Sequence, residues 1–80
     1  MLTYYVAMPF LPSDGGLAPG QAVECHTEAA AVRRAEAMAR SESNAGAIAF
    51  SRRGDLSLGE FEDAVIIKTL GDVPDEFTSG

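Results

Sequence analysis

The stretch "FEDAVIIKTL", residues 61–70, carries Val65, Ile66 and Ile67 in succession. A strand with one solvated face alternates apolar and polar residues, so three large branched side chains in a row call for apolar neighbours on both faces. The rest of the chain offers one helical segment, and one helix covers one face of a sheet. The second face then needs a second copy, a partner or a ligand. At 80 residues the chain is one domain that buries only roughly 60% of its unfolded surface, so its core is small. Cys25 is the sole cysteine and His26 the sole histidine. That excludes an internal disulfide and makes a structural zinc site hard to build. Self-association is the remaining support for so small a core.

Periodicity supplies the other elements. In "LTYYVAMPF", Leu2, Tyr4, Val6, Met8 and Phe10 fall on one side and Thr3, Tyr5, Ala7 and Pro9 on the other, which is strand alternation. Pro9 lacks a ladder donor, so the strand ends there or meets an open edge. "LPSDGGLAPG" reads as turn chemistry, and "QAVECH" as a short second strand returning along the first. Thr27 is the expected N-cap of a helix over "EAAAVRRAEAMARSES", with Glu28 favoured in its first turn by the helix dipole. Ala31, Val32, Ala35, Met38 and Ala39 form its apolar stripe. Asn44 or Gly46 is expected to end it in the left-handed conformation. "GAIAFS" and "FEDAVIIKTL" complete the pattern.

The expected fold is therefore α+β: a small sheet of three to four strands, mixed or antiparallel, in the order β-β-α-β-β with one helix on one face. Residues 1–72 form the single domain, and residues 73–80 an acidic, partly ordered tail with Phe77 as its anchor. Meander and crossover connections between the second and third strands both satisfy the pattern.

Net charge is −6, which disfavours a phosphate backbone as partner. The charge is uneven: Arg33, Arg34, Arg40, Arg52 and Arg53 crowd the middle, while Lys68 is the only base among the acids from Asp55 onward. The helix arginines read as a solvated face. Arg52 and Arg53 are candidate anion contacts, or cross-chain partners for the acidic C-terminal third of a second copy. The first residues carry no basic leader pattern and Pro9 and Pro12 break their apolar run, so a cytoplasmic chain without membrane association is expected.

Few residues suggest chemistry. Arg53-Gly54-Asp55 matches an adhesion tripeptide, but a glycine-bearing stretch between two strands is explained by a hairpin whose corner is Gly54-Asp55 and Gly59. Cys25 and His26 point to opposite faces of a strand and cannot share a proton. Glu60, Glu62, Asp63 and Asp55 sit beside a glycine-rich turn where water limits pKa shifts, so a solvated acidic rim is the reading. Gly15-Gly16 and Gly20 lack phosphate-loop spacing. No catalytic, metal or cofactor residue is assigned.

"AFSRRGDLSLGEFEDAVIIKTLGDVP", residues 49–74, resembles a group of small uncharacterised bacterial α+β proteins in its Ala-Phe-Ser-Arg start, Gly-Asp turn, acidic patch and Gly-x-Val-Pro end. The resemblance implies a compact α+β fold and carries over no catalytic residue. The expectation is a non-enzymatic interaction protein, homodimeric through its sheet, with Tyr4, Tyr5, Val65, Ile66 and Ile67 as candidate interface residues. The alternative is a ligand-binding or catalytic module whose small-molecule or anion pocket lies at the subunit seam, lined by Tyr4 or Tyr5 and an arginine.

Overall fold

The chain runs β1 (Leu2–Ser13), β2 (Gly16–Pro19), β3 (Val23–Cys25), α1 (Glu28–Arg40), β4 (Gly46–Asp55), β5 (Glu60–Phe61) and β6 (Val65–Gly71), then a 3-10 turn at Asp75–Phe77. The computed structural model describes residues 1–77; the last three residues of the expected tail, 78–80, lie outside them. β1 and β4 form the spine, antiparallel from Leu2↔Gly54 to Phe10↔Gly46. β2 and β3 share the outer side of β1, and β5 and β6 share the outer side of β4, every pairing being antiparallel. β3 and β4 thus flank β1 in the same direction, and α1 is the crossover between them. No described helix is long and apolar enough to cross a membrane.

The described residues form an α+β fold with one α-helix, but its curled sheet has six strands rather than three or four. The excess comes from the length of the spine. β1 does not stop at Pro9: it continues to Ser13 and turns back as β2, where turn chemistry alone was expected. Pro9 sits between the stretches of β1 that β3 and β2 occupy. Its carbonyl accepts the Gly20 amide at 2.8 Å. A residue's N–H and C=O leave the same side of a strand, so the missing Pro9 donor faces the gap and costs no ladder bond.

The expected fourth strand is likewise two strands, β5 and β6, separated by residues 62–64. A bulge explains its apolar run. Register jumps from Ala49↔Lys68 to Phe50↔Ile66, leaving Ile67 as the extra residue. A bulge resets the alternation, so Ile66 stays beside Phe50 while Ile67 joins Lys68 on the helix side.

Thr27 caps α1 as expected: its backbone is extended and its Oγ1 accepts the Ala30 amide at 3.0 Å. The other end differs from expectation. Ser41 leaves the helix extended, and neither Asn44 nor Gly46 has positive φ. Asn44 instead donates its side-chain Nδ2 to the Met38 carbonyl at 3.0 Å, satisfying a terminal acceptor without a left-handed residue.

The helix settles which sheet face is internal. Ala31 and Ala35 meet Ala7, Ala47 and Ala49, all fully buried, with Tyr5, Cys25, Val32, Met38, Ala39, Ile67 and Leu70 packed around them. Lys68 and Glu36 pair at 3.1 Å above this seam, both partly exposed, so the ion pair contributes little. Thirteen helical residues cover about 20 Å, whereas the twelve residues of β1 run about 40 Å. The helix therefore leaves the ends of the spine without a second layer.

Candidate functional site

Facing away from α1 are Tyr4, Val6, Met8 and Phe10 of β1 and Ile48, Phe50 and Arg52 of β4. One end of this face is closed from within: Phe10 and Ile48 are the largest fully buried side chains, and Phe77 brings its ring to 5.5 Å from that of Phe10. The other end holds a shallow pocket of about 350 Å³ lined by Tyr4, Val6, Ala22, Phe50, Arg52, Leu56 and Phe61.

Register builds this pocket. Val6 lies opposite Phe50 and Tyr4 opposite Arg52, giving a floor of two cross-strand pairs. Gly54 lies opposite Phe61, and a Cβ built on Gly54 would collide with the Phe61 ring. The missing side chain thus lets Phe61 lie across β4 and form a wall. The Tyr4 and Phe61 rings are 6.3 Å apart and tilted by 43°, within the favourable range for aromatic pairs. Arg52 holds the other side of Phe61: its guanidinium carbon is 5.2 Å from the ring centroid and its Nε donates to the Glu62 carbonyl at 2.9 Å.

Here the Arg-Gly-Asp reading is corrected. Arg53, Gly54 and Asp55 are strand residues of β4, and Gly54 is needed for the approach of Phe61 rather than for a corner. The corner is Leu56–Gly59, where Gly59 takes φ +69°, a conformation costly for a residue with a Cβ. Asp55 organises that turn: its Oδ1 accepts the Ser57 hydroxyl at 2.6 Å and the Ser57 amide at 3.0 Å.

The Ser57 hydroxyl bond holds the Asp55 carboxyl below its ordinary value of 3.8; the Ser57 and Leu58 amides add to this, and desolvation opposes it. A depressed folded-state pKa means that the contribution to the turn is present above the unfolded value and fades as pH falls through the folded one. Ser57→Ala is therefore expected to raise the Asp55 pKa toward the ordinary value, followed by NMR titration of its carboxyl carbon. An unchanged titration would show that the hydroxyl is not the cause.

The structure divides the residues singled out from sequence. Tyr4 and Ile66 lie on the open face. Tyr5 and Ile67 pack against the helix-side core, and Val65 stands opposite Ser51, 63% exposed. Arg52 lines the pocket, whereas its neighbour Arg53 lies opposite Thr3 on the other face. Cys25 packs on the alanine core with its thiol 3.8 Å from the Val23 carbonyl, and His26 is exposed. Glu60, Glu62 and Asp63 are exposed, and no three His, Cys, Asp or Glu among the described residues are grouped to hold a metal ion. Phe50, Leu56 and Phe61 were not anticipated as site residues. Strand parity could have placed Phe50 with Arg52, but the inward turn of Phe61 depends on a contact with Gly54, seven residues away.

Comparison with protein-family models, curated proteins and solved structures finds no match.

Proposed function

We propose that this chain is a small non-enzymatic interaction protein that self-associates through the open end of its sheet. One observation carries the reading: the sizes of its apolar side chains are inverted. Five alanines fill the buried core with Phe10 and Ile48, while Leu2, Leu56, Leu58, Phe61 and Val65 are 43% to 70% exposed. Register and sequence bring Leu2, Leu56, Leu58 and Phe61 to one end of the spine, where Leu2 and Phe61 flank Gly54, while Val65, beside Ser51, lies on the other face of the sheet. Scattered exposed leucines are ordinary; a cluster around an apolar pocket marks a contact surface. A second copy is the occupant favoured here because the chain's own core is too small in side-chain volume to stand comfortably alone. The free thiol of Cys25 supports a reducing compartment, the cytoplasm, as the setting.

Light scattering across a concentration series is expected to give twice the chain mass. Two copies at −6 each repel, so an apolar seam should strengthen as salt screens that repulsion; a seam of cross-chain ion pairs should weaken. Leu56→Asp places a charge on a turn residue that is 70% exposed and should leave the fold intact by circular dichroism. Association is expected to weaken by about tenfold or more, a loss of at least about 1.4 kcal/mol. Single-chain mass throughout the series would overturn the reading. So would a doubled mass retained by both Leu56→Asp and Leu2→Asp.

A further inference from the structure

The pocket at the open end has the composition of a ligand site rather than of a packing defect. At about 350 Å³ it falls in the range of small-molecule clefts, which combine an apolar lining with a few convergent polar groups. Its apolar lining is Val6, Ala22, Phe50, Leu56 and Phe61, and Tyr4 and Arg52 are the two lining residues with a polar end. No carboxylate of the described residues lines it. Arg52 makes no ion pair among the described residues; its Nε is used on the Glu62 carbonyl and its face on Phe61. Its two Nη groups are left to donate as a fork, the geometry that suits a carboxylate. Tyr4 Oη is closed off from solvent and has no hydrogen-bond partner among the described residues. A buried hydroxyl left unpaired is unfavourable, and an oxygen arriving in this pocket would satisfy it once the side chains covering it part.

We infer that this pocket binds a small aromatic carboxylate. The ring lies on the Val6–Phe50 floor beside Phe61, and the carboxylate pairs with the Arg52 Nη groups, with the Tyr4 hydroxyl as second donor. The class follows from the lining: apolar walls that include the Phe50 and Phe61 rings select an aromatic ring, and a single cation selects one negative charge. The inference deepens the interaction reading, because Leu56 and Phe61 belong both to the pocket and to the proposed seam. It does not require the dimer, since every group named comes from one chain.

The probe is 3-phenylpropionate, titrated into isotope-labelled protein, with the uncharged 3-phenylpropionamide as its control. Saturable NMR shifts are expected at Tyr4, Val6, Phe50 and Phe61, with the acid bound about tenfold more tightly than the amide. Arg52→Gln is expected to bind acid and amide alike, because the discriminating cation is gone. Arg53→Gln, altered on the opposite face, should keep the discrimination. Tyr4→Phe should weaken the acid several-fold without lowering the melting midpoint of the ligand-free protein, since it deletes a hydroxyl that has no partner among the described residues.

Absence of saturable shifts, equal binding of acid and amide by the wild type, or discrimination surviving in Arg52→Gln would each overturn the inference. The same titration on Leu58→Asp, altered at a 68% exposed residue outside the pocket lining, with its mass measured alongside, separates the two proposals. Acid binding by a single-chain species supports the pocket independently of the seam, and a doubled mass without binding rejects the pocket alone.

Discussion

Gly46→Ala is expected to lower the thermal midpoint by on the order of 15 °C, the effect of about 3 kcal/mol in a domain of this size. Gly46 is the point where β1, β4 and β6 come together, opposite Phe10 on one side and Gly71 on the other. A Cβ there would lie 2.5 Å from the Leu70 carbonyl oxygen, 2.7 Å from the Asp72 nitrogen and against the Asp72 oxygen. These are backbone atoms, which cannot rotate aside as a side chain would. Relief requires moving the end of β6, and with it the Asp72 amide bond to the Ala45 carbonyl at 3.0 Å. Gly16→Ala is the matched control, because nothing lies within 4 Å of the place its methyl group would take. Differential scanning calorimetry of the pair decides the matter. A Gly46→Ala midpoint within about 3 °C of wild type would mean that β6 shifts freely and is not held as described.

Ile48→Ala is expected to cost about 3 to 4 kcal/mol, measured by urea unfolding. Ile48 is fully buried on central strand β4, on the face the helix does not cover. With the core otherwise made largely of alanine, its side chain and that of Phe10 supply most of the fully buried volume. Truncation would leave a cavity between strands that pair on both sides and cannot collapse into it. Leu58→Ala removes a side chain of similar size that is 68% exposed and should change stability by no more than about 0.5 kcal/mol. A domain of 80 residues has roughly 4 to 12 kcal/mol in all, so the first change removes a large share of it. Similar losses for the two variants would contradict the burial pattern on which the interaction reading stands.

How much was legible beforehand depended on the range of the determining contact. The alternation of β1, the Thr27 cap and the alanine stripe of α1 are local patterns, and the structure realises all three. Parity also sorted Tyr5 with Ala7 and Tyr4 with Val6, although only the structure shows that the helix takes the Tyr5 side. The failures turn on contacts that the local pattern does not contain. Ile67 follows Ile66 because of a bulge defined by Ala49 and Phe50 on another strand, which no window along 61–70 contains. Gly54 resembled a turn residue because glycines commonly are; its actual role is to admit Phe61. Asn44 looked like a left-handed terminator, yet its side chain reaches back six residues to Met38. The site was half visible. Tyr4 and Arg52 stood out as an aromatic and a cation, but only cross-strand register makes them neighbours.

The alanine seam between α1 and the sheet also bears on how this chain can change. Ala7, Ala31, Ala35, Ala47 and Ala49 bring the helix close to the strands, so enlarging any of them would drive the two layers apart. Mutational drift on that side is confined to a few small residues. At the opposite end, Leu2, Leu56, Leu58 and Val65 can be exchanged with little effect on folding, because none is held by the core. The sheet therefore has a conservative interior and a permissive end. Altered binding preferences can be explored on the second without endangering the first, which leaves so small a fold free to diversify in what it contacts.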